Sequence, residues 1–237
     1  VQDQAMLTLI LKDLRRAIDP TTETDTDVRR AAAEALGALG GLVQDQATLT
    51  RILKDLRGAF DPKTETNRYV RYAVVETLGA LGGHVQDQAM LTLILKDLRR
   101  AIDPTTETDV IVRRAAAEAL RALGGLVQDQ ATFTLILKDL RRAFDPKTEK
   151  DGYVRRVAVE TLGELGGHVQ DQPTFTLILD DLRRATDPTT ETNWRVLEAA
   201  VKALIRLSCR WRVSTPSPWA HKWSDLARGQ PLASVHP

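Results

Sequence analysis

The feature that most constrains this chain is an internal repeat of 42 residues. The tetrapeptide VQDQ begins at Val1 and recurs at Val43, Val85, Val127 and Val169. A period of this length is typical of a helical solenoid, in which each repeat buries its apolar surface only against its neighbours. We therefore predict a single solenoid over residues 1–209, with units at 1–42, 43–84, 85–126, 127–168 and 169–209, followed by a tail at 210–237.

The first half of each unit predicts an α-helix, which we call helix A. In unit one its apolar residues recur at helical spacing and predict a buried stripe. These residues are Leu7, Ile10, Leu11, Leu14, Ala17 and Ile18. Asp3 is the predicted N-cap, and Asp19-Pro20 ends the helix because the residue before proline is disfavoured in the α region.

The second half of each unit predicts helix B. Its expected inward side in unit one consists of Val28, Ala31, Ala32, Ala35, Leu36 and Leu39. A short side chain that can accept backbone N–H groups precedes helix B in every unit and predicts an N-cap. These caps are Asp25, Asn67, Asp109, Asp151 and Asn193. Gly40 and Gly41 are expected to end the helix in the left-handed conformation that glycine tolerates.

The pattern DxxVRxAAxxALGxLG, from Asp25 to Gly40, resembles the second helix of HEAT repeats, especially the bacterial PBS-lyase HEAT-like type. The resemblance is close in units one to four and loose in unit five, where Leu197 replaces the arginine and no Gly-Gly ends the helix. It implies an all-α, right-handed superhelix of five two-helix repeats, with the B helices on its concave side. It also implies that Arg29 and its equivalents pair with turn acids of neighbouring repeats. Within helix B, the i, i+4 spacing separately predicts the ion pairs Arg30–Glu34, Arg114–Glu118 and Arg156–Glu160. The resemblance does not identify a function, because HEAT arrays serve as scaffolds, transport receptors, bilin lyases and DNA glycosylases.

The units differ most at the start of helix B, which is where we predict a partner-binding surface. The second and fifth helical positions share a face, and this face gains aromatic residues beside arginines, a composition typical of interface hot spots. The candidate residues are Asp27, Arg30, Arg68, Tyr69, Tyr72, Ile111, Arg114, Tyr153, Arg156, Trp194 and Arg195. The alternative is neutral drift, since solvated positions tolerate most substitutions. We favour a protein or peptide partner and a non-catalytic scaffold.

Two other functions remain open. Nucleic-acid binding is the runner-up, since Arg29, Arg71, Arg113 and Arg155 would suit a ladder of phosphate contacts. The balance of 33 Lys and Arg against 32 Asp and Glu, with a net charge of +1, argues against it. The third hypothesis is a consensus or designed array without a natural ligand.

Neither a catalytic site nor a metal or cofactor site is predicted. Cys209 is the only cysteine and has no nearby His or Asp to activate it. His84 and His168 lie two units apart, too far to share a metal ion. With no apolar run long enough for a bilayer and no leader, we expect a cytoplasmic bacterial protein, and a fragment of a larger multidomain one.

The two ends differ in sequence. Trp211, Trp219 and Trp223 in the tail predict a cap over the last unit, with a peptide-binding or self-association segment as the alternative. Unit one has no equivalent lid. Self-association through the uncapped N-terminal end is therefore a further expectation.

Overall fold

The computed structural model describes residues 2–169 and 171–210, and the side chains of 6–169 and 171–208. These residues form ten α-helices and no strand. The helices are α1 (Gln2–Ala17), α2 (Thr26–Gly40), α3 (Gln46–Ala59), α4 (Arg68–Gly82), α5 (Gln88–Ile102), α6 (Val110–Leu123), α7 (Gln130–Phe144), α8 (Gly152–Leu165), α9 (Gln172–Ala185) and α10 (Trp194–Arg210). Short 3₁₀ turns at Gly124–Leu126 and Gly166–His168 follow α6 and α8. The predicted α-solenoid of five two-helix units is confirmed.

The helices pack as two layers. The most extensive contacts between units join consecutive B helices, in the series α2, α4, α6, α8 and α10. Each A helix packs mainly against the B helix of its own unit and more lightly against neighbouring A helices. The B layer therefore carries most of the contact between units. No helix in the described ranges is both long enough and apolar enough to cross a membrane.

The predicted N-caps are confirmed for helix B. The side chains of Asp25, Asn67 and Asp151 each accept two backbone N–H groups of the first helical turn. Asp109 and Asn193 accept from the N–H groups of Ile111 and Arg195. Helix A is capped in the same way by the aspartate of VQDQ, at Asp45, Asp87, Asp129 and Asp171. The predicted cap Asp3 lies among side chains outside the described residues.

The prediction for the glycines at the end of helix B is wrong. Gly41 has φ −65° and ψ −18°, which is right-handed helical backbone and not the left-handed region. The preceding glycine is required for close packing instead, because a Cβ on Gly40 would lie 2.8 Å from Leu81 Cδ1 of the next B helix. Gly124 has the same relation to Leu165, at 2.9 Å. These glycines therefore let the ends of neighbouring B helices approach each other.

Buried arginine–glutamate pairs connect consecutive units. Arg113 Nε lies 2.7 Å from Glu149 Oε2, and its Nη2 donates to Glu149 Oε1 at 3.0 Å. The pairs are Arg29–Glu65, Arg71–Glu107, Arg113–Glu149 and Arg155–Glu191, all buried. This confirms the pairing implied by the HEAT resemblance. These guanidinium groups are therefore unsuited to phosphate contacts.

The carboxylate in each pair is satisfied on more than one side. Glu149 Oε1 also accepts the backbone N–H of Asp151, the N-cap of α8. At the last pair, burial alone would raise the pKa of Glu191. Hydrogen bonds from Arg155 and from the N–H of Asn193 outweigh it, and the pKa lies below its ordinary value of 4.5. The pair therefore remains ionised at neutral pH and stabilises the folded state.

Unit one departs from the predicted stripes. Ile10 and Val28 are exposed, although their equivalents Ile52 and Val70 in unit two are fully buried. Ala31 is exposed as well. These positions are covered by the preceding unit elsewhere in the array, and none packs on that side of unit one in the described chain. That side of unit one therefore presents apolar residues, whereas the predicted cap at 210–237, with its three tryptophans, lies almost wholly outside the described residues.

Candidate partner-binding surface

The exposed sides of α2, α4, α6, α8 and α10 form one continuous surface, which we call the B face. It contains the second, fifth and ninth positions of each B helix, which are three and four residues apart and share one side of the helix. Of the predicted aromatic residues, Trp194 is 64% exposed, Tyr69 49% and Tyr153 37%. Val70, Val154 and Val196, beside them in the sequence, are fully buried. Helix geometry therefore separates the exposed rings from the core.

Tyr153 lies at the centre of a polar cluster from two units. Its ring is contacted by the guanidinium groups of Arg114 and Arg156, whose Cζ atoms lie 4.8 and 4.5 Å from the ring centroid. Its hydroxyl donates to Glu118 Oε1 at 2.6 Å. That hydrogen bond, followed by partial burial, raises the pKa of Tyr153, against the opposing effect of the two arginines. The ring is therefore held in one orientation while one part of it stays open to solvent.

Tyr72 is the one predicted aromatic residue that is not freely exposed. It is partly buried against the core, and its hydroxyl donates to Glu76 Oε1 at 2.5 Å. This hydrogen bond, with desolvation as the second cause, raises the pKa of Tyr72 to about 12. Ile111 is likewise only half-exposed. Tyr72 and Ile111 are therefore less exposed parts of the B face than Tyr69 and Trp194.

Replacing Glu76 with alanine should lower the pKa of Tyr72 from about 12 toward its ordinary value of 10, because the largest cause of the shift is removed. The chain contains three tyrosines, so the titration is best followed by tyrosinate absorbance with Tyr69→Phe and Tyr153→Phe as background changes. Circular dichroism defines the pH range in which the chain remains folded. An unchanged Tyr72 titration would show that this hydrogen bond does not form.

Two further aromatic rings, those of Tyr69 and Trp194, each lie against the guanidinium group of an adjacent arginine. Arg68 Cζ lies 4.9 Å from the centroid of Tyr69, and its Nη2 donates to the Tyr69 hydroxyl at 3.0 Å. Arg195 Cζ lies 5.4 Å from the Trp194 ring. Cation–π contacts of this kind are worth about 0.5–1 kcal/mol at exposed sites. They orient the rings without burying them.

A groove of about 540 Å³ lies on the B face between α8 and α10, with one residue from α6. Its lining residues are Arg121, Tyr153, Arg156, Glu160, Glu164, Trp194, Arg195, Glu198, Ala199, Lys202, Ala203 and Arg206. Four of them are predicted site residues, namely Tyr153, Arg156, Trp194 and Arg195. The groove is a concave site that presents two aromatic rings.

The groove contains five cations and three carboxylates. Arg121 and Arg156 share Glu160, while Arg206 pairs with Glu164 and Lys202 with Glu198. Arg195 forms no ion pair with any other described side chain. The lining is therefore mixed in sign, with a surplus of positive charge on the α10 side.

Sequence reasoning did not assign the residues one and two turns further along helix B to the binding surface. Glu118, which fixes Tyr153, and Lys202 and Arg206, which line the groove, occupy later positions on the same exposed side. Continuing the i, i+3, i+7 series from the second helical position would have found Glu118. The predicted pair Arg114–Glu118 is wrong, since Arg114 Nη2 pairs with Asp151 Oδ2 at 2.7 Å.

The first three units contribute the remaining predicted residues. The predicted pair Arg30–Glu34 is confirmed at 2.9 Å, and Arg30 also lies 3.7 Å from Asp27. His84 and His168 are exposed in turns between units. Among the described side chains, no group of three or more His, Cys, Asp or Glu residues is arranged to hold a metal ion.

Comparison with protein families agrees with the repeat geometry. The family described as PBS lyase HEAT-like repeat matches residues 28–57, which run from α2 of unit one into α3 of unit two. No curated protein sequence matches the chain. The matched segment contains Arg29, the first of the four arginines that form buried pairs with glutamates of the next unit.

Proposed function

Since the chain is a HEAT-repeat protein, we propose that it is a non-catalytic scaffold that binds a protein or peptide partner across the B face. HEAT-like repeats typically serve as structural and interaction modules. The observation that carries the proposal is the groove between α8 and α10, in which exposed Tyr153 and Trp194 lie among charged side chains of both signs. Exposed aromatic and arginine residues in a concave site are the usual anchors of protein interfaces.

The charge pattern favours a protein partner over nucleic acid. The arginines that recur in units one to four are buried against glutamates. On the B face, Arg30 pairs with Glu34 and Arg156 pairs with Glu160. A nucleic-acid groove requires a continuous positive surface. The same pattern indicates the partner's chemistry, because a surplus of cations around two rings complements an acidic segment with one aromatic or aliphatic anchor.

The ring orientations support binding at low entropic cost. Tyr153 is held between Arg114 and Arg156 before any partner is present. Ordering a side chain at an interface otherwise costs about 0.5–1.5 kcal/mol. The B face is therefore pre-organised at its central ring.

The proposal is tested by selecting peptides from a random displayed library against the immobilised full chain. We expect the selected peptides to be acidic with a hydrophobic anchor. Synthetic copies should bind at least about tenfold more weakly to the double variant Tyr153→Ala with Trp194→Ala, since truncating an anchor residue costs ~2 kcal/mol or more. Both rings are exposed, so the thermal midpoint should change little.

The matched control is Leu42→Ala with Leu126→Ala, which truncates two exposed leucines in the turns between units and should leave peptide affinity unchanged. Equal affinity of the peptides for the Tyr153/Trp194 double variant would contradict the proposal. A duplex DNA probe tests the alternative function, nucleic-acid binding. If 6–10 cations contacted phosphates, raising the salt from 50 to 200 mM would weaken DNA binding ~10³-fold or more. Tight, salt-sensitive DNA binding without peptide binding would replace the scaffold with a nucleic-acid-binding array.

A further inference from the structure

A row of exposed leucines crosses the outer side of the A helices, on the layer opposite the B helices. Leu9, Leu93, Leu135 and Leu177 occupy the same place in their units, and each is between 39% and 60% exposed. Arg51 takes this place in unit two. The uninterrupted part of the row therefore runs over α5, α7 and α9. We call this outer side of the A helices the A face.

A row of lysines runs beside the leucines. Lys12, Lys54, Lys96 and Lys138 follow the leucine position by three residues, so both rows share one side of the helix. All four lysines are exposed, and none forms an ion pair with another side chain in the described part of the chain. Leucine and lysine rows overlap on α5 and α7.

Lys54, Lys96 and Lys138 are unpaired because the neighbouring carboxylates are already neutralised. In units two to five an aspartate directly follows the lysine position, and an arginine of the preceding unit pairs with it. These pairs are Arg15–Asp55, Arg57–Asp97, Arg99–Asp139 and Arg141–Asp181. The acids that could balance the lysines thus hold the units together. Over α5 and α7 the A face therefore retains a net positive charge beside the apolar row, whereas on α9 Asp180 takes the lysine position and pairs with Arg183.

We infer that the A face binds an acidic amphipathic α-helix of a protein partner. Its apolar side would cover Leu93, Leu135 and Leu177, and its carboxylates would face Lys96 and Lys138. The spacing of the two rows supports a helix, because an amphipathic helix also places apolar and charged residues three or four positions apart on one side. Residues seven apart on an α-helix are about 10.5 Å apart along its axis. Since α5 and α7 are in contact, and packed helices lie about 8–10 Å apart, one partner helix can present an apolar residue to Leu93 and another to Leu135.

The chain's own tail is a poor candidate for this surface. Residues 211–237 contain Arg212, Lys222 and Arg228 against one acid, Asp225. A basic segment would be repelled by the lysine row. The inference does not depend on the proposed function of the B face, because the two surfaces lie on different helices and share no residue.

The test uses the full chain and a labelled three-heptad peptide with leucine at every seventh position and glutamates beside it. Fluorescence anisotropy at low salt should show saturable binding. Lys96→Glu with Lys138→Glu should weaken binding by about tenfold or more, and a matched peptide with lysine in place of glutamate should now bind this variant. This charge exchange distinguishes direct contact from loss of folding.

The control is Lys63→Glu with Lys147→Glu, which makes the same change in net charge at two exposed turn residues. This control variant should bind the acidic peptide with unchanged affinity. The Tyr153/Trp194 double variant of the B face should do so as well. Equal binding of the acidic peptide to the Lys96/Lys138 variant would overturn the inference. Sedimentation with phosphatidylserine vesicles in the absence of peptide binding would also overturn it, since the A face would then be a membrane-binding surface.

Discussion

Replacing Arg113 with leucine should lower the free energy of unfolding by about 3–5 kcal/mol, because the buried carboxylate of Glu149 loses the charge that compensates it. Arg113 also donates to the backbone carbonyls of Glu107 and Thr108, so the change leaves buried acceptors without a donor. Urea denaturation monitored by circular dichroism measures the loss. A decrease below about 1 kcal/mol would show that this ion pair does not form.

Two variants provide the controls for this prediction. Arg30 pairs with Glu34 on the surface, and Arg30→Leu should cost no more than about 0.5 kcal/mol. Adding Glu149→Gln to Arg113→Leu should recover part of the loss, since glutamine removes the uncompensated charge and can still accept the N–H of Asp151. Strict additivity of the two changes would contradict direct coupling.

Replacing Leu120 with alanine should cost about 2–5 kcal/mol. Leu120 lies in α6, the B helix of the middle unit, and is fully buried in the continuous core. The cost combines lost apolar burial with the cavity left between units. The same denaturation experiment measures it, and a loss under about 0.5 kcal/mol would show that α6 packs in another register.

The matched control for this cavity is Leu135→Ala in α7. Leu135 is a helical leucine with 42% of its surface exposed, so alanine removes less buried area and has higher helix propensity. We expect a much smaller loss than for Leu120. Similar losses at the two positions would indicate that the A face is covered in solution.

The buried arginine–glutamate pairs between units also account for a departure of unit five from the repeat pattern. Leu197 occupies the position of Arg29, Arg71, Arg113 and Arg155. An arginine there would need a turn glutamate from a following unit, and none is present in the described chain. Leucine at this position needs no such partner, whereas an arginine without one would be an uncompensated cation, which is destabilising where it is buried.

The architecture was predictable from the sequence because it depends on local and repeated rules. A 42-residue period, apolar stripes at helical spacing and Asp or Asn caps require only short-range geometry, and they located every helix pair. The exposed side of helix B followed from the same periodicity, which separated Tyr69 and Tyr153 from Val70 and Val154. Arg29 was identified as a partner of a turn acid through the family resemblance, not through its spacing.

Tertiary structure alone decided which residues meet across units. Gly40 and Gly124 are required by the close approach of Leu81 and Leu165 from the next helix, which no backbone propensity reveals. Arg114 pairs with Asp151 of the next unit in preference to Glu118, which leaves Glu118 free to accept the Tyr153 hydroxyl. Contacts between residues about 40 positions apart depend on helix packing, whereas sequence periodicity reports only which side of one helix a residue occupies.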